Sequence, residues 1–120
     1  MKNNKNRILA ALMALALFTL PSIGRSEYAG NLTPLYLYGA KTMAFGVDLS
    51  VANVCNYFGR HFRFDATTPE GKNMLAILLT AISTKRKIDV WYTASTAPGT
   101  DNNSGCTFGA LAVITSVGIK

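Results

Sequence analysis

The side chains able to do chemistry in this chain are few. His61 is the sole histidine and stands between Arg60 and Phe62. A general base needs a nucleophile or substrate in reach and an orienting partner. Asp65 lies four residues on; in a strand those positions share a face about 13 Å apart, too far for a hydrogen bond. His61 therefore reads as a surface histidine on a sheet. The carboxylates Glu27, Asp48, Asp65, Glu70, Asp89 and Asp101 are scattered, with no local pair of the glycosidase kind. Two cysteines and one histidine do not make the four-ligand set of a zinc site. Among the glycines there is no phosphate-cradling loop. The inventory argues against an enzyme and calls for no cofactor or metal; a small hydrolase working through His61 or a carboxylate is the third of three readings.

Recognition chemistry is better represented. Trp91 falls on the opposite strand face from Ile88, Val90 and Tyr92. If that set is core, the indole points outward beside a polar loop. An aromatic face suits the C–H surface of a sugar ring while its edge stays wet. The loop adds donors and acceptors from Asp101, Asn102, Asn103 and Ser104. The competing reading puts Trp91 in the core or in a subunit interface, where aromatics also concentrate. Tyr36 and Tyr38 share a strand face and form a second, weaker platform.

These residues need a scaffold, and the pattern is mainly β with one helix. Leu35 to Tyr38 is rich in residues that favour pleated surfaces, after a polar lead-in from Asn31 to Pro34. Phe45 to Ala52 alternates with period two, and Phe62 and Phe64 alternate with their neighbours after a turn at Gly59-Arg60. Thr67 and Thr68 are both N-cap residues, Pro69 suits a first helical turn, and Glu70 stands three after Thr67 as in a capping box. The helix then presents Met74, Leu75, Leu78, Ala81 and Ile82 on one face, widened by Ile77 and Leu79. Lys85, Arg86 and Lys87 follow at its C-terminal end, where positive charge is favoured. Ile88 to Thr93 and Leu111 to Val117 supply two further strands around the polar loop Ser95–Ser104. Three strands, a helix and two strands match the five-stranded OB-fold barrel, β-β-β-α-β-β, with the helix plugging one end. The rival is an open antiparallel sheet with the helix across one face.

The compartment is written at the front of the chain. Lys2, Lys5 and Arg7 precede the apolar run Ile8–Leu20; Pro21 and the small residues Ser22, Gly24 and Ser26 follow. That is the layout of a cleaved secretory leader. The run spans only about 20 Å as a helix, against the roughly 20 residues a bilayer needs, so no membrane span is expected after cleavage. Cutting after Ser26 is expected, with Gly24 and Ala29 as alternatives. Residues 1–26 then leave, and 27–120 form a single small domain that is secreted or periplasmic. Four of the twelve cations (Lys2, Lys5, Arg7 and Arg25) go with the leader, leaving eight against six acids, a net charge of +2. The basic pI is mostly a property of the discarded segment and gives no sign of nucleic-acid binding. In an oxidising compartment Cys55 and Cys106 are expected to pair, closing a loop of about 50 residues worth about 4 kcal/mol in the chain-entropy model.

The span from Thr67 to Val117 resembles the binding subunits of bacterial toxins built from one catalytic and five binding chains, the cholera-toxin and subtilase-cytotoxin type. The pattern is a capped helix (TTPEGKNMLAILLTAIS), a basic turn (TKRK), a strand with an aromatic pair (KIDVWYTA), a polar loop and a small-residue strand (GALAVITSV). The resemblance implies a secreted OB-fold, a pentameric ring with helices around a pore, a separate catalytic chain, and a surface for cell-surface glycans. It carries over no binding residue, because Glu27 to Phe64 has no residue-by-residue match to a glycan site, and it does not reproduce one subfamily's cysteine positions. The leading expectation is thus a non-enzymatic, glycan-binding oligomer. The alternative is an envelope accessory protein that binds another protein, in the manner of an inhibitor.

Overall fold

The computed structural model describes residues 26–120. The expected leader, residues 1–26, therefore lies outside the described residues apart from Ser26. No helix among the described residues is long and apolar enough to cross a membrane.

Six strands and one helix follow in the order β1 (Ser26–Leu32), β2 (Pro34–Gly39), β3 (Thr42–Val47), β4 (Phe62–Asp65), α1 (Pro69–Thr84), β5 (Ile88–Thr93) and β6 (Ala112–Ile119). They hydrogen-bond as one sheet ordered β1-β5-β6-β4-β3-β2. All pairings are antiparallel except β4 with β6, so the sheet is mixed. This corrects the five-stranded expectation in two respects. An extra strand, β1, occupies residues to which the sequence pattern assigns no strand, and the ladder is open between β1 and β2. The purely antiparallel alternative fails as well, because of the parallel β4–β6 pair. The edge strands β1 and β2 are nonetheless consecutive in the chain, separated by Thr33 alone. Helix α1 rests against β6 and against β2, strands well apart in the sheet order, so the sheet curls around it.

The curl gathers one core. Leu32 of β1, Phe45 and Val47 of β3, Phe62 and Phe64 of β4, Leu78 and Ala81 of α1, Ile88, Val90 and Tyr92 of β5, and Ile114 of β6 are all buried in it. Three of its rings interlock: Phe45 stacks on Phe62 at 5.4 Å, and Phe62 meets Tyr92 edge-on at 5.3 Å. Such contacts add to area burial, the largest favourable contribution to folding.

Strand β3 is shorter than its alternation suggests, because Asp48 ends it. The Thr33 N–H donates to the Asp48 carboxylate at 2.7 Å and the Asp48 N–H donates to the Thr33 carbonyl at 3.2 Å, tying the β1–β2 corner to the end of β3. The other face of β3 is covered at Ala44, which packs against Cys55, Cys106 and Leu111 in a second, smaller cluster. The helix starts where the caps place it, but Thr68 alone is the N-cap. Its hydroxyl accepts from the Gly71 N–H at 3.0 Å, which makes Gly71 the third helical residue and leaves Glu70 outside any capping box. Thr67 turns to Asp65 instead, donating its N–H and hydroxyl at 2.8 and 2.6 Å. Leu79 is exposed rather than part of the buried face. Lys85 caps the C-terminus in the left-handed conformation (φ 55°), so the basic run lies just beyond the helix, where Arg86 Nε donates to the Lys120 carbonyl.

Cys55 and Cys106 form a disulfide with Cα atoms 5.9 Å apart and a sequence separation of 51. Both lie in loops, Cys55 between β3 and β4 and Cys106 between β5 and β6, rather than in strands. Backbone bonds run alongside: Asn56 N–H to Thr100 O at 2.8 Å, Ser95 N–H to Asn53 O at 2.8 Å, and Thr96 N–H to Ala110 O at 3.2 Å. The two longest loops are thereby fastened into one body.

Candidate functional site

The disulfide-bound loops come together with the β2–β3 hairpin, and an open cleft of about 830 Å³ lies between them. Its construction begins at a two-residue turn. The Tyr57 N–H donates to the Arg60 carbonyl at 2.9 Å and the Arg60 N–H returns to the Tyr57 carbonyl at 3.0 Å. Phe58 and Gly59 between them have φ of 50° and 83°. Positive φ at both central residues is the signature of a type I′ turn. Asn56 locks it, its side-chain oxygen accepting the Gly59 N–H at 2.6 Å. Glycine suits position 59 because of its positive φ, and the Tyr36 hydroxyl lies where a Cβ would project.

The turn delivers Arg60 onto β2, with the guanidinium 4.0 Å from the centroid of the Tyr38 ring. That is within the range of a cation–π contact. Phe108 meets the other side of the arrangement, its ring edge-on to Tyr38 at 6.4 Å. Tyr57 and Phe58 pack edge-to-face at 4.8 Å. With Lys41 from the β2–β3 turn, the cleft is lined by four aromatic rings and two cations, and no carboxylate lines it. Arg60 Nε is buried there without a hydrogen-bond partner. A buried, unpaired guanidinium N–H is costly unless something supplies an acceptor.

The residues singled out in the sequence divide between separate regions. Tyr38 is in the cleft and Tyr36 supports it from beneath the turn, so the platform judged weaker is the one with neighbours. Trp91 does point outward, 40 % exposed, with Ile88, Val90 and Tyr92 buried behind it. It packs against Tyr28 across the β1–β5 ladder, ring centroids 5.0 Å apart and planes tilted by 53°. The polar turn of Asp101, Asn102 and Asn103 is fastened to Asn56 rather than to Trp91. Asp101 spends its carboxylate within that turn, accepting from the Asn103 N–H and from the N–H and hydroxyl of Ser104. Sequence reasoning missed Lys41, Phe58, Arg60 and Phe108. All four lie outside the strands, Lys41 in the β2–β3 turn, Phe58 and Arg60 in a loop and Phe108 at the start of a short 3-10 helix, where no strand periodicity marks them. The one available signal was the aromatic-glycine-cation string at 58–60.

The histidine is differently placed from expectation. His61 is half-buried, and its Nδ1 accepts the Val47 N–H at 3.0 Å. Burial pushes its pKa below the ordinary value, favouring the neutral ring that this acceptor role requires. Asp65, the only carboxylate near it in sequence, is bound to Thr67 and is held below the usual carboxylate range by that hydroxyl and N–H. No His61–Asp65 pair exists. Among the described residues no group of three or more His, Cys, Asp or Glu is arranged to hold a metal ion.

Comparison of the chain with protein families, with curated proteins and with solved structures gives no match.

Proposed function

We propose that the protein is a secreted or periplasmic, non-enzymatic recognition module that binds an acidic sugar in the Tyr38–Arg60 cleft. The observation that carries this reading is the Arg60 guanidinium stacked on Tyr38 in an aromatic cleft free of carboxylates. Tyr38, Phe58 and Phe108 offer surfaces for the C–H face of a pyranose. Arg60 and Lys41 supply donors for a carboxylate or sulfate carried by the same ring, and the planar fork of arginine suits two acceptor oxygens at once. A site lined this way favours cell-surface glycans over nucleic acid, since the domain outside the leader carries only a slight net positive charge.

The finer fold assignment belongs to this reading. If β1 and β2 are two halves of one strand bent at Thr33, the order becomes five strands closed on themselves with the helix after the third. That is the OB-fold and the architecture of the toxin binding subunits. The single-residue separation of β1 and β2, the core shared by residues of both edges, and a helix touching both β2 and β6 support it. A pentameric ring and a separate catalytic chain extend the proposal further.

The test is an array of neutral and acidic oligosaccharides, the latter bearing uronate, sialate or sulfate. Expected are hits confined to the acidic set and removed by Arg60→Gln. Uniform binding of neutral sugars, or acidic hits untouched by Arg60→Gln, would overturn the assignment. A protein-binding accessory role has one observation in its favour, the exposed Tyr28–Trp91 pair, of the kind found at protein interfaces. An array without hits, together with a protein partner captured from envelope extracts and lost on Trp91→Ala, would favour it.

A further inference from the structure

Phe58 breaks two local rules at once. It is 60 % exposed, more than any other large apolar residue in the described chain. Its φ of 50° lies in the left-handed region, where a bulky side chain is a conformational outlier. The first central position of a type I′ turn ordinarily takes asparagine, aspartate or glycine. Nothing in the fold compensates: Phe58 belongs to neither apolar cluster, and the one ring packed on it is that of its neighbour Tyr57. Backbone strain that the scaffold does not use is characteristic of ligand-holding sites.

We infer that Phe58 is a ligand-binding residue, a strained aromatic wall kept for stacking on the sugar ring at the expense of stability. This rests on the acidic-sugar reading of the cleft. The type I′ turn makes ring and cation one rigid unit: Phe58 and Arg60 are two residues apart, the Tyr57–Arg60 bonds close the turn, and Asn56 pins it. The ring faces the apolar side of the ligand while Arg60 reads its charge. A purely structural Phe58 would lose stability on truncation; a residue kept for a ligand gains it.

Two readouts separate these roles. Thermal unfolding of Phe58→Gly should shift upward by about 4 °C, since glycine adopts the turn conformation without penalty. Binding of Phe58→Gly and Phe58→Ala to the acidic oligosaccharides that wild type selects on the array should fall about tenfold or more, with Phe58→Tyr near wild type. A Phe58→Gly variant that melts lower than wild type would show that the ring belongs to the fold and overturn the inference. So would unchanged binding in Phe58→Gly and Phe58→Ala when Arg60→Gln abolishes it. A wild-type protein that binds no acidic oligosaccharide fails at an earlier step, sinking the functional reading and this inference together.

Discussion

Two places on this molecule expose aromatic rings, and they are built in opposite ways. Tyr28 and Trp91 sit directly across from each other on hydrogen-bonded strands, although β1 slips register after Ala29 and β5 shifts against β6 between Trp91 and Tyr92. The polar groups nearby are satisfied: Asp89 accepts from the Asn31 N–H at 3.1 Å and pairs with Lys120 at 3.3 Å, and Lys120 also donates to the Asn31 side chain at 2.9 Å. The Tyr38–Arg60 cleft is assembled from a strand edge and two irregular loops, contains a left-handed phenylalanine, and leaves a buried guanidinium N–H unpaired. Exposure is common to both regions. What distinguishes them is regularity of construction. Cross-strand aromatic pairs stabilise a sheet without any ligand, whereas the cleft spends a strained turn on an exposed ring, which fits the binding role proposed above.

That contrast is open to attack, most severely through the disulfide. Cys55 lies two residues before Tyr57 and Cys106 two before Phe108, so the bridge holds both loop walls of the cleft. Replacing both cysteines by serine should cost about 4 kcal/mol in denaturant unfolding and weaken acidic-sugar binding, with the Tyr28–Trp91 pair retained in whatever folds. Retained cleft binding in the bridge-free protein would show that the backbone bonds between the loops suffice. Next in size is Arg60→Gln. Binding should fall at least tenfold, as when a charged hydrogen-bonding partner is lost, about 1.5–3 kcal/mol, while unfolding stability stays within about 0.5 kcal/mol. The mirror image is Tyr28→Ala, expected to lower stability by about 1 kcal/mol or less and to leave the binding isotherm where it was. A ligand-binding defect in Tyr28→Ala with normal stability would reverse the roles of the two regions.

The smallest effect concerns His61, one residue beyond the cleft turn. Its pKa in the folded chain is depressed by burial, and its Nδ1 must stay unprotonated to accept from Val47. The folded state therefore binds this proton less readily than the unfolded chain. The stabilisation is complete above the ordinary histidine value of 6.5 and declines as pH falls through that value toward the folded one. Urea unfolding from pH 8 down to pH 5 should show a gentle loss of stability that His61→Gln removes. A flat profile in the wild-type protein contradicts the acceptor role.

Much of the scaffold was legible because its signals are local. Thr68, Pro69 and the apolar spacing of Met74, Leu75, Leu78 and Ala81 mark the helix, and only the choice between two adjacent threonines needed coordinates. Ile88, Val90 and Tyr92 announce β5 by strict alternation. Strand β1 was illegible because Gly30 and Asn31 are poor strand residues. Asn31 in fact adopts φ 57°, the register slips between Ala29 and Leu32, and the Tyr28 hydroxyl lies against Gly30. The cleft was half legible. Tyr36 and Tyr38 belong to a periodic strand, but Phe58, Arg60 and Phe108 reach it through loops whose meeting is fixed by a bond between residues 51 apart in sequence. The disulfide could be anticipated from composition and compartment; what it brings together could not.

The most direct test uses the single tryptophan. In two-dimensional NMR, an acidic oligosaccharide taken from the array hits is titrated into the isotopically labelled protein. The account predicts shifts at the backbone amides of Tyr38, Phe58, Arg60 and Phe108, with the Trp91 indole N–H unmoved. Movement of the indole signal while those four amides stay silent would contradict it.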